Sequence, residues 1–465
     1  MKKIILTRSF RFASVGLQFG YVLMALTSLH PYFMWGHQKT YYAISTVIVC
    51  VSYAACFRYL RFSRFYLFLA ITFSFFLIYL SVSPKVSGGI TRWYFLIPFT
   101  FALLTTNIKI LQNAFETFYW AFACSLIPGM FAWIWLATGL PLEVNWMTVP
   151  ALWAQRPPVD YIALPGAVFL EYNAMLLPNG GTIFRLCGML DEPGTIGTVA
   201  ALCLAATRYR LNNFRGAVSF VAGLMSFSIA FGILTIIGTI ATAFFSKRPG
   251  LLIATIVSGC AILIPIYGVT FDDGQPHLTT MDSRITVVKP RNNSDLSGLS
   301  EPILVPESYK PYANMRLRQA TQVDNRAGPE MQLLFERYLQ SPLKTLLFGI
   351  SSNASSVYAG NSSSWHSVLI NHGAVGFTLL FLLFFIPLIH LRYIHCMGPS
   401  LVIFVVLFAM SFYQRPMIWL PAQILIYFVG LRPKPDVLGG GDKLRRLVVD
   451  NIFKFKKKYF RVDMN

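Results

Sequence analysis

Apolar residues run through this chain in long unbroken stretches, and polar residues gather in the gaps between them. Phe65 to Val82, Leu251 to Gly268 and Gly373 to His390 contain no Lys, Arg, Asp or Glu. As α-helices rising about 1.5 Å per residue, such stretches reach across roughly 30 Å of hydrocarbon. A membrane barrel would show strands of about ten residues that alternate apolar and polar, and runs such as FLLFF from Phe381 are the opposite pattern. The pattern predicts helical spans at 14–34, 41–57, 65–82, 93–106, 114–137, 194–207, 216–227, 229–246, 250–268, 373–391, 399–414 and 418–431. As one helix, 216–246 would measure about 46 Å, too long for an ordinary span, so it is read as two short helices turning near Phe227.

The predicted architecture is all-α: a polytopic integral membrane helix bundle of about twelve transmembrane helices. Residues 1–268 form an N-terminal bundle of about nine spans with an outward loop at 138–193. Residues 269–372 form a longer outward loop, 373–431 the C-terminal helices and 432–465 a basic tail. Within the late loop, Met331, Leu333, Leu334, Tyr338 and Leu339 recur at helical spacing between Ala327 and Gln340. That spacing predicts a helix lying on the membrane surface.

Composition agrees, with 55% hydrophobic and 12% charged residues in 465, more apolar than a soluble core requires. A net charge of +20 raises the question of nucleic acid, but the placement of the charges answers it. Lys and Arg occupy short connections at alternate span ends: Lys2, Lys3, Arg8 and Arg11; Arg58, Arg61 and Arg64; Lys109; Arg208, Arg210 and Arg215; Lys247 and Arg248; Arg392. This is the distribution of cytoplasmic loops, so both termini are expected in the cytoplasm and no nucleic-acid partner is expected. The tail from Arg432 carries ten Lys or Arg against four acids, which suits anionic lipid of the cytoplasmic leaflet. No convincing small-residue cleavage site follows Lys2 and Lys3, so the first segment reads as a retained span. The seven cysteines show no CxxC or metal-ligand spacing and read as small buried hydrophobes.

The chain has no P-loop, GxGxxG, HExxH or GxSxG. Its outward segments instead offer basic residues and a histidine close to span ends. Arg185 lies in RLCGMLDEPGTIGT, where Glu192 and Pro193 open a span. Proline suits the first helical turn and an acid its positive end, so these residues fit a helix cap as well as a site. In a site, Arg185 would hold a phosphate through its permanently charged fork, and Glu192 would orient it or a sugar hydroxyl. Arg326 precedes the surface helix, and Arg316, Arg318 and Arg337 are weaker candidates of the same kind. His366 stands beside Trp365 before the span near Gly373, and His372 follows six residues later at another helical angle. A Trp-His pair there serves either as an interfacial anchor or as a proton carrier near neutral pH. Asp272 and Asp273 lie among Gly and Pro and read as a turn, so no metal site is expected.

Together, Arg185 to Gly197, Arg326 to Gly349 with its L-F-G-I, and His366 to Phe377 with its G-x-x-G-F resemble, in order and sidedness, the O-antigen ligase and O-antigen polymerase superfamily. The resemblance implies a GT-C-like, metal-independent glycosyltransferase of the bacterial inner membrane that needs no cofactor. Its donor and acceptor would be glycans on undecaprenyl pyrophosphate at the periplasmic face, amid membrane lipids, and a chain-length regulator protein would be a further partner. By this resemblance Arg185 and Arg326 bind the donor pyrophosphate, and His366 corresponds to the essential histidine that activates the acceptor hydroxyl or assists at the reacting centre; Glu192 is the second catalytic candidate. The ligase-like His-Asn pair is His366-Ser367 here, and Glu192-Pro193-Gly194 stands where Pro-Asn is usual; both departures favour the polymerase. Two alternatives accompany it: a ligase that transfers glycan to a lipid A core, and a flippase for the same lipid-linked glycan. The spans hold almost no ionisable residue beyond Glu116, whereas proton and ion paths are normally lined with them.

Overall fold

A computed structural model describes residues 2–57, 63–86, 93–138, 144–149, 159–170, 175–176, 182–246, 248–267, 269–270, 287–288, 329–358, 365–393, 398–414 and 417–431. Arg316, Arg318 and Arg326, the Asp272–Asp273 pair, Arg58, Arg61, Lys247 and the tail from Arg432 lie outside the described residues.

The chain is mostly helical. The bundle contains α1 (Lys2–Thr27), α2 (Gln38–Cys56), α3 (Arg64–Val82), α4 (Ile97–Thr105), α5 (Ile108–Thr138), α6 (Pro193–Ala206), α7 (Phe214–Met225), α8 (Ile229–Ser246) and α9 (Leu251–Tyr267). Three short helices, α10 (Pro329–Leu339), α11 (Leu343–Phe348) and α12 (Ala354–Tyr358), lead into α13 (Trp365–Tyr393), α14 (Pro399–Gln414) and α15 (Pro421–Gly430). Among the described residues α3, α5, α8 and α13 contain stretches long and apolar enough to cross a membrane, and several shorter apolar helices stand beside them. Phe12, Phe75, Phe131, Phe244 and Ile256 are exposed on helix surfaces. Apolar surface of this kind is foreign to soluble monomers, and the arrangement is consistent with a chain that crosses a membrane several times.

The centre of the bundle is α6 against α15, whose residues are all buried. Close approach around them depends on small residues: a Cβ on Gly197 would strike Ser228, one on Gly223 would strike Phe231, and one on Gly430 would strike Phe404. Small residues are the usual device where helices pack without a hydrophobic driving force between them. Hydroxyls inside the apolar helices bond to their own turns, as Ser81 does to the Leu77 carbonyl at 2.7 Å and Thr198 to the Gly194 carbonyl at 2.8 Å. Others join helices, with Tyr21 Oη 2.7 Å from Thr106 Oγ1 and Tyr53 Oη 2.6 Å from Thr105 Oγ1.

The turn expected near Phe227 is present. Phe227 takes a left-handed φ of 45°, and the Ser228 hydroxyl accepts the Phe231 N–H at 3.4 Å, capping α8. The expected span at 93–106 is shorter than drawn: a 3-10 turn, Trp93–Leu96, leads into the nine residues of α4.

Helicity is not complete. VDYIAL and AVFL, separated by Pro165 and Gly166, form an antiparallel hairpin of β2 (Val159–Leu164) and β3 (Ala167–Leu170), with Gly166 at φ 78°. Beside β2 lies β1 (Val144–Val149), and beside that the parallel β7 (Val287–Val288). A second small sheet sets β4 (Met175–Leu176) between β5 (Thr182–Ile183) and β6 (Val269–Thr270). The all-α expectation therefore holds for the bundle, while the two long polar segments add strands. Because β7 and β6 from the late segment pair with β1 and β4 from the early one, both segments meet at one end of the bundle.

That loop-rich end can be followed by hydrogen bonds. Tyr32, just beyond α1, donates to the Met189 carbonyl at 2.8 Å, and Ser28 Oγ accepts the Ala422 N–H at 3.1 Å at the start of α15. The Trp419 ring lies 6.5 Å from that of His372, whose carbonyl accepts Tyr79 Oη of α3 at 2.6 Å. At the opposite end Arg215 forms an ion pair with Glu116 and lies over the Tyr119 and Trp120 rings. The single acid noted within the spans is thus neutralised by a basic residue of the next helices.

In α13 the helix is interrupted at Gly373, with φ 65° and ψ −175°. Gly349, at φ 84°, meets it: a Cβ there would lie 2.4 Å from the Asn371 carbonyl oxygen, and one on Gly373 would lie 2.3 Å from that of Leu347. Any side chain at either position combines left-handed strain with a backbone collision. Gly349→Ala and Gly373→Ala should each cost about 2–3 kcal/mol or more, read as a lower thermal midpoint of the detergent-purified protein. Gly250→Ala, where a Cβ would meet nothing within 4 Å, should melt like the parent.

Candidate functional site

Arg185 follows β5 and is held half-buried between elements that the sequence separates widely. Its Nε donates to the Ser226 carbonyl at 3.1 Å, and the next residue's N–H reaches the Met225 carbonyl at 3.1 Å. The Trp133 indole of α5 donates to the Phe184 carbonyl at 2.6 Å, fixing the residue before Arg185. The side chain is therefore anchored against the turn between α7 and α8, not extended into solvent.

Glu192 is the N-cap residue of α6, but its side chain makes no cap bond. The neighbouring Asp191 takes part instead, accepting the Thr195 hydroxyl at 3.4 Å. Pro193 occupies the first helical turn as its fixed φ favours. The helix-start reading of these residues is correct, with the acid's local bond moved one position upstream.

His366 opens α13. Its ring stacks on Trp365 at 3.9 Å and meets Phe335 of α10 edge-on at 4.3 Å. Arg337 is exposed on the same helix as Phe335. Met331, Tyr338, Ala354 and Ile370 make a small core under this helix, tied by Tyr338 Oη to the Leu346 carbonyl at 2.7 Å. Burial raises the Tyr338 phenol above its ordinary value. The late loop is further joined to α3, because Ser352 donates to the Pro84 carbonyl at 2.9 Å and Asn353 Oδ1 accepts the Val86 N–H at 2.8 Å.

The structure thus brings two of the three motif pieces to one end of the bundle: the Arg185–Glu192 stretch and the His366–His372 stretch. They are connected through Met189, Tyr32, Ser28, Ala422, Trp419 and His372. Arg185 and His366 themselves are braced by different neighbours, Ser226 for one and Trp365 with Phe335 for the other. Of the third piece, the part from Pro329 to Gly349 is described, and it locks against Asn371 to Gly373. Among the described residues no group of three or more His, Cys, Asp or Glu gathers as a metal site would.

Two residues escaped the sequence reading. Gln423 and Trp419 are buried at the same end. A lone amide in the otherwise apolar WLPAQILIYFVG was the available signal, since polar side chains inside spans are rare and usually have a task.

No protein-family model, curated protein or solved structure matches this chain.

Cys187, two residues from Arg185, is fully buried, and desolvation pushes its thiol up to about 12. The reactive thiolate then makes up only about one part in ten thousand at pH 8 and increases as pH rises toward 12. The folded protein should leave Cys187 unmodified by maleimide at pH 8, with labelling appearing on denaturation, as peptide mass mapping would show.

Proposed function

We propose that this protein is a polymerase that joins undecaprenyl-pyrophosphate-linked oligosaccharide repeat units into a surface polysaccharide. In this reading the chain crosses the bacterial inner membrane about twelve times with both termini in the cytoplasm, and its loop-rich end faces the periplasm. The observation that carries it is the position of Arg185, anchored at the α7–α8 turn on the same end as the His366 segment. The twelve residues of α7 rise about 18 Å, less than the roughly 30 Å of hydrocarbon. In this reading Arg215 and Glu116 mark the inner boundary, so the α7–α8 turn that anchors Arg185 lies short of the outer surface. A lipid-borne diphosphate is an anion delivered to that depth, and the fork of an arginine suits it. The N-termini of α6 and α15 open to the same end, and their positive dipole ends favour the same charge.

The chemistry follows from these groups. The acceptor hydroxyl oxygen attacks the anomeric carbon of the donor sugar, the bond from that carbon to the diphosphate oxygen breaks, and undecaprenyl pyrophosphate departs with the electron pair. Arg185, with Arg326 as its expected companion, stabilises the departing charge through bidentate bonds. His366 takes the acceptor proton, and Glu192 orients the reacting groups.

Arg185→Ala and His366→Ala should each lower long-chain product by about 10²-fold or more while the protein stays in the membrane, the scale seen when a charge-stabilising or proton-carrying group is removed. Arg185→Lys should restore less than about a tenth, because a point charge cannot replace the fork. Gel electrophoresis of glycan made from lipid-linked repeat units reads all three, and full-length ladders from any Ala variant would remove that residue from the site. Deletion of the gene in its host should leave single repeat units on the cell surface. Unattached long chains would instead identify a ligase, and unflipped lipid-linked units a transporter.

A further inference from the structure

At the loop-rich end, three side chains keep buried polar atoms without a partner among the described residues: His372 Nδ1, Trp419 Nε1 and Gln423 Oε1. Their residues are only 3%, 3% and 2% exposed. Native interiors seldom leave such groups unpaired, and each instance needs a cause. Ser219, Thr235 and Ser258 also carry unpartnered hydroxyls, as does Tyr119; a serine or threonine can turn to a carbonyl of its own helix, and the Tyr119 hydroxyl has Ser219 and Thr207 beside it. An indole N–H and a glutamine carbonyl lack that recourse.

The three residues also lie at the same end of the bundle. The His372 and Trp419 rings stand 6.5 Å apart and nearly perpendicular. Gln423 follows four residues after Trp419, in the first turn of α15. Phe76 and Trp93 lie edge-on to the Trp419 ring at 5.9 and 5.8 Å. The backbone at His372 is fixed by Tyr79 Oη and by the Gly349–Gly373 contact, so the ring is held in place while its nitrogen stays unused.

The chemistry of the trio selects a kind of ligand. The indole only donates, the amide oxygen only accepts, and an imidazole nitrogen does either. An anion would be repelled by the glutamine oxygen, and a cation would gain nothing from the indole N–H. A neutral hydroxyl satisfies both, and a sugar presents several beside apolar C–H faces that suit aromatic walls.

We infer that His372, Trp419 and Gln423 form a subsite for hydroxyls of a neutral sugar, separate from the anion-holding position at Arg185. This subsite rests on the lipid-linked glycan reading above and supplies its sugar recognition. The three residues bind and orient; they take no part in bond making.

The test uses full-length protein in lipid nanodiscs with two probes, the host's undecaprenyl-pyrophosphate-linked repeat unit and sugar-free undecaprenyl pyrophosphate. Trp419→Phe, Gln423→Leu and Gln423→Met should each weaken binding of the sugar-bearing lipid about 5- to 10-fold and leave the sugar-free lipid unaffected. The unliganded Gln423→Leu and Gln423→Met variants should melt at or above the parent temperature, because an unpaired polar atom has been replaced by an apolar one; Trp419→Phe also loses packing and is read by binding alone. Unchanged affinity in variants that fold, a lower melting temperature of both Gln423 variants without ligand, or equal binding of the two lipids by the parent would each overturn the subsite. If the parent makes no polymer yet still prefers the sugar-bearing lipid through these residues, the polymerase reading falls and the subsite stands. If the variants keep both normal polymer and normal affinity, the subsite falls and the polymerase reading stands.

Discussion

Every polar group placed among apolar helices must find a partner inside the protein, because hydrocarbon offers none. That constraint explains most of what is seen. The bundle is helical, many of its serines and threonines fold back on their own carbonyls, and Tyr21 and Tyr53 reach across to Thr106 and Thr105. The single acid among the spans, Glu116, is matched by Arg215. Arg208, almost fully buried, donates to the carbonyls of Ala205 and Gly430, where two central helices end. Against that background, unpaired nitrogens and oxygens at one end of the bundle acquire meaning.

Much of the fold was legible because helix length and charge placement are strong signals. The turn at Phe227 followed from a segment too long for one helix, and residues 226–228 supply it with a left-handed φ and a serine cap. The strands were not legible in the same way. β4 to β7 are two residues each, far below the length at which alternation can be seen, and the pairings of β4 with β6 and of β1 with β7 join segments more than ninety residues apart. The hairpin at 159–170 did carry a signal, Pro-Gly between two apolar runs, which the apolar dominance of the whole chain obscured.

The candidate site was legible in part. G-x-x-G-F and L-F-G-I stood out as motifs, and the structure shows a physical need for two of their glycines: Gly349 and Gly373 lie backbone to backbone, joining the late loop to α13. Glu192 was placed correctly at a helix start, yet the local bond is made by Asp191, a distinction that needs coordinates. Gln423, an uncharged amide within an apolar run, carries a weaker signal than the charged residues at the span ends. Arg326, the expected companion of Arg185, lies outside the described residues.

The Arg185 segment and the start of α13 share one end of the bundle, and in the proposed topology that end faces away from the cytoplasm. Labelling of single-cysteine variants with a membrane-impermeant maleimide in right-side-out vesicles tests it most directly. Cysteines placed at Met189 and His366 should both react from outside, whereas one at Lys109 should react only after permeabilisation. Reaction of the Lys109 position from outside, or of Met189 and His366 from opposite sides, would contradict the account.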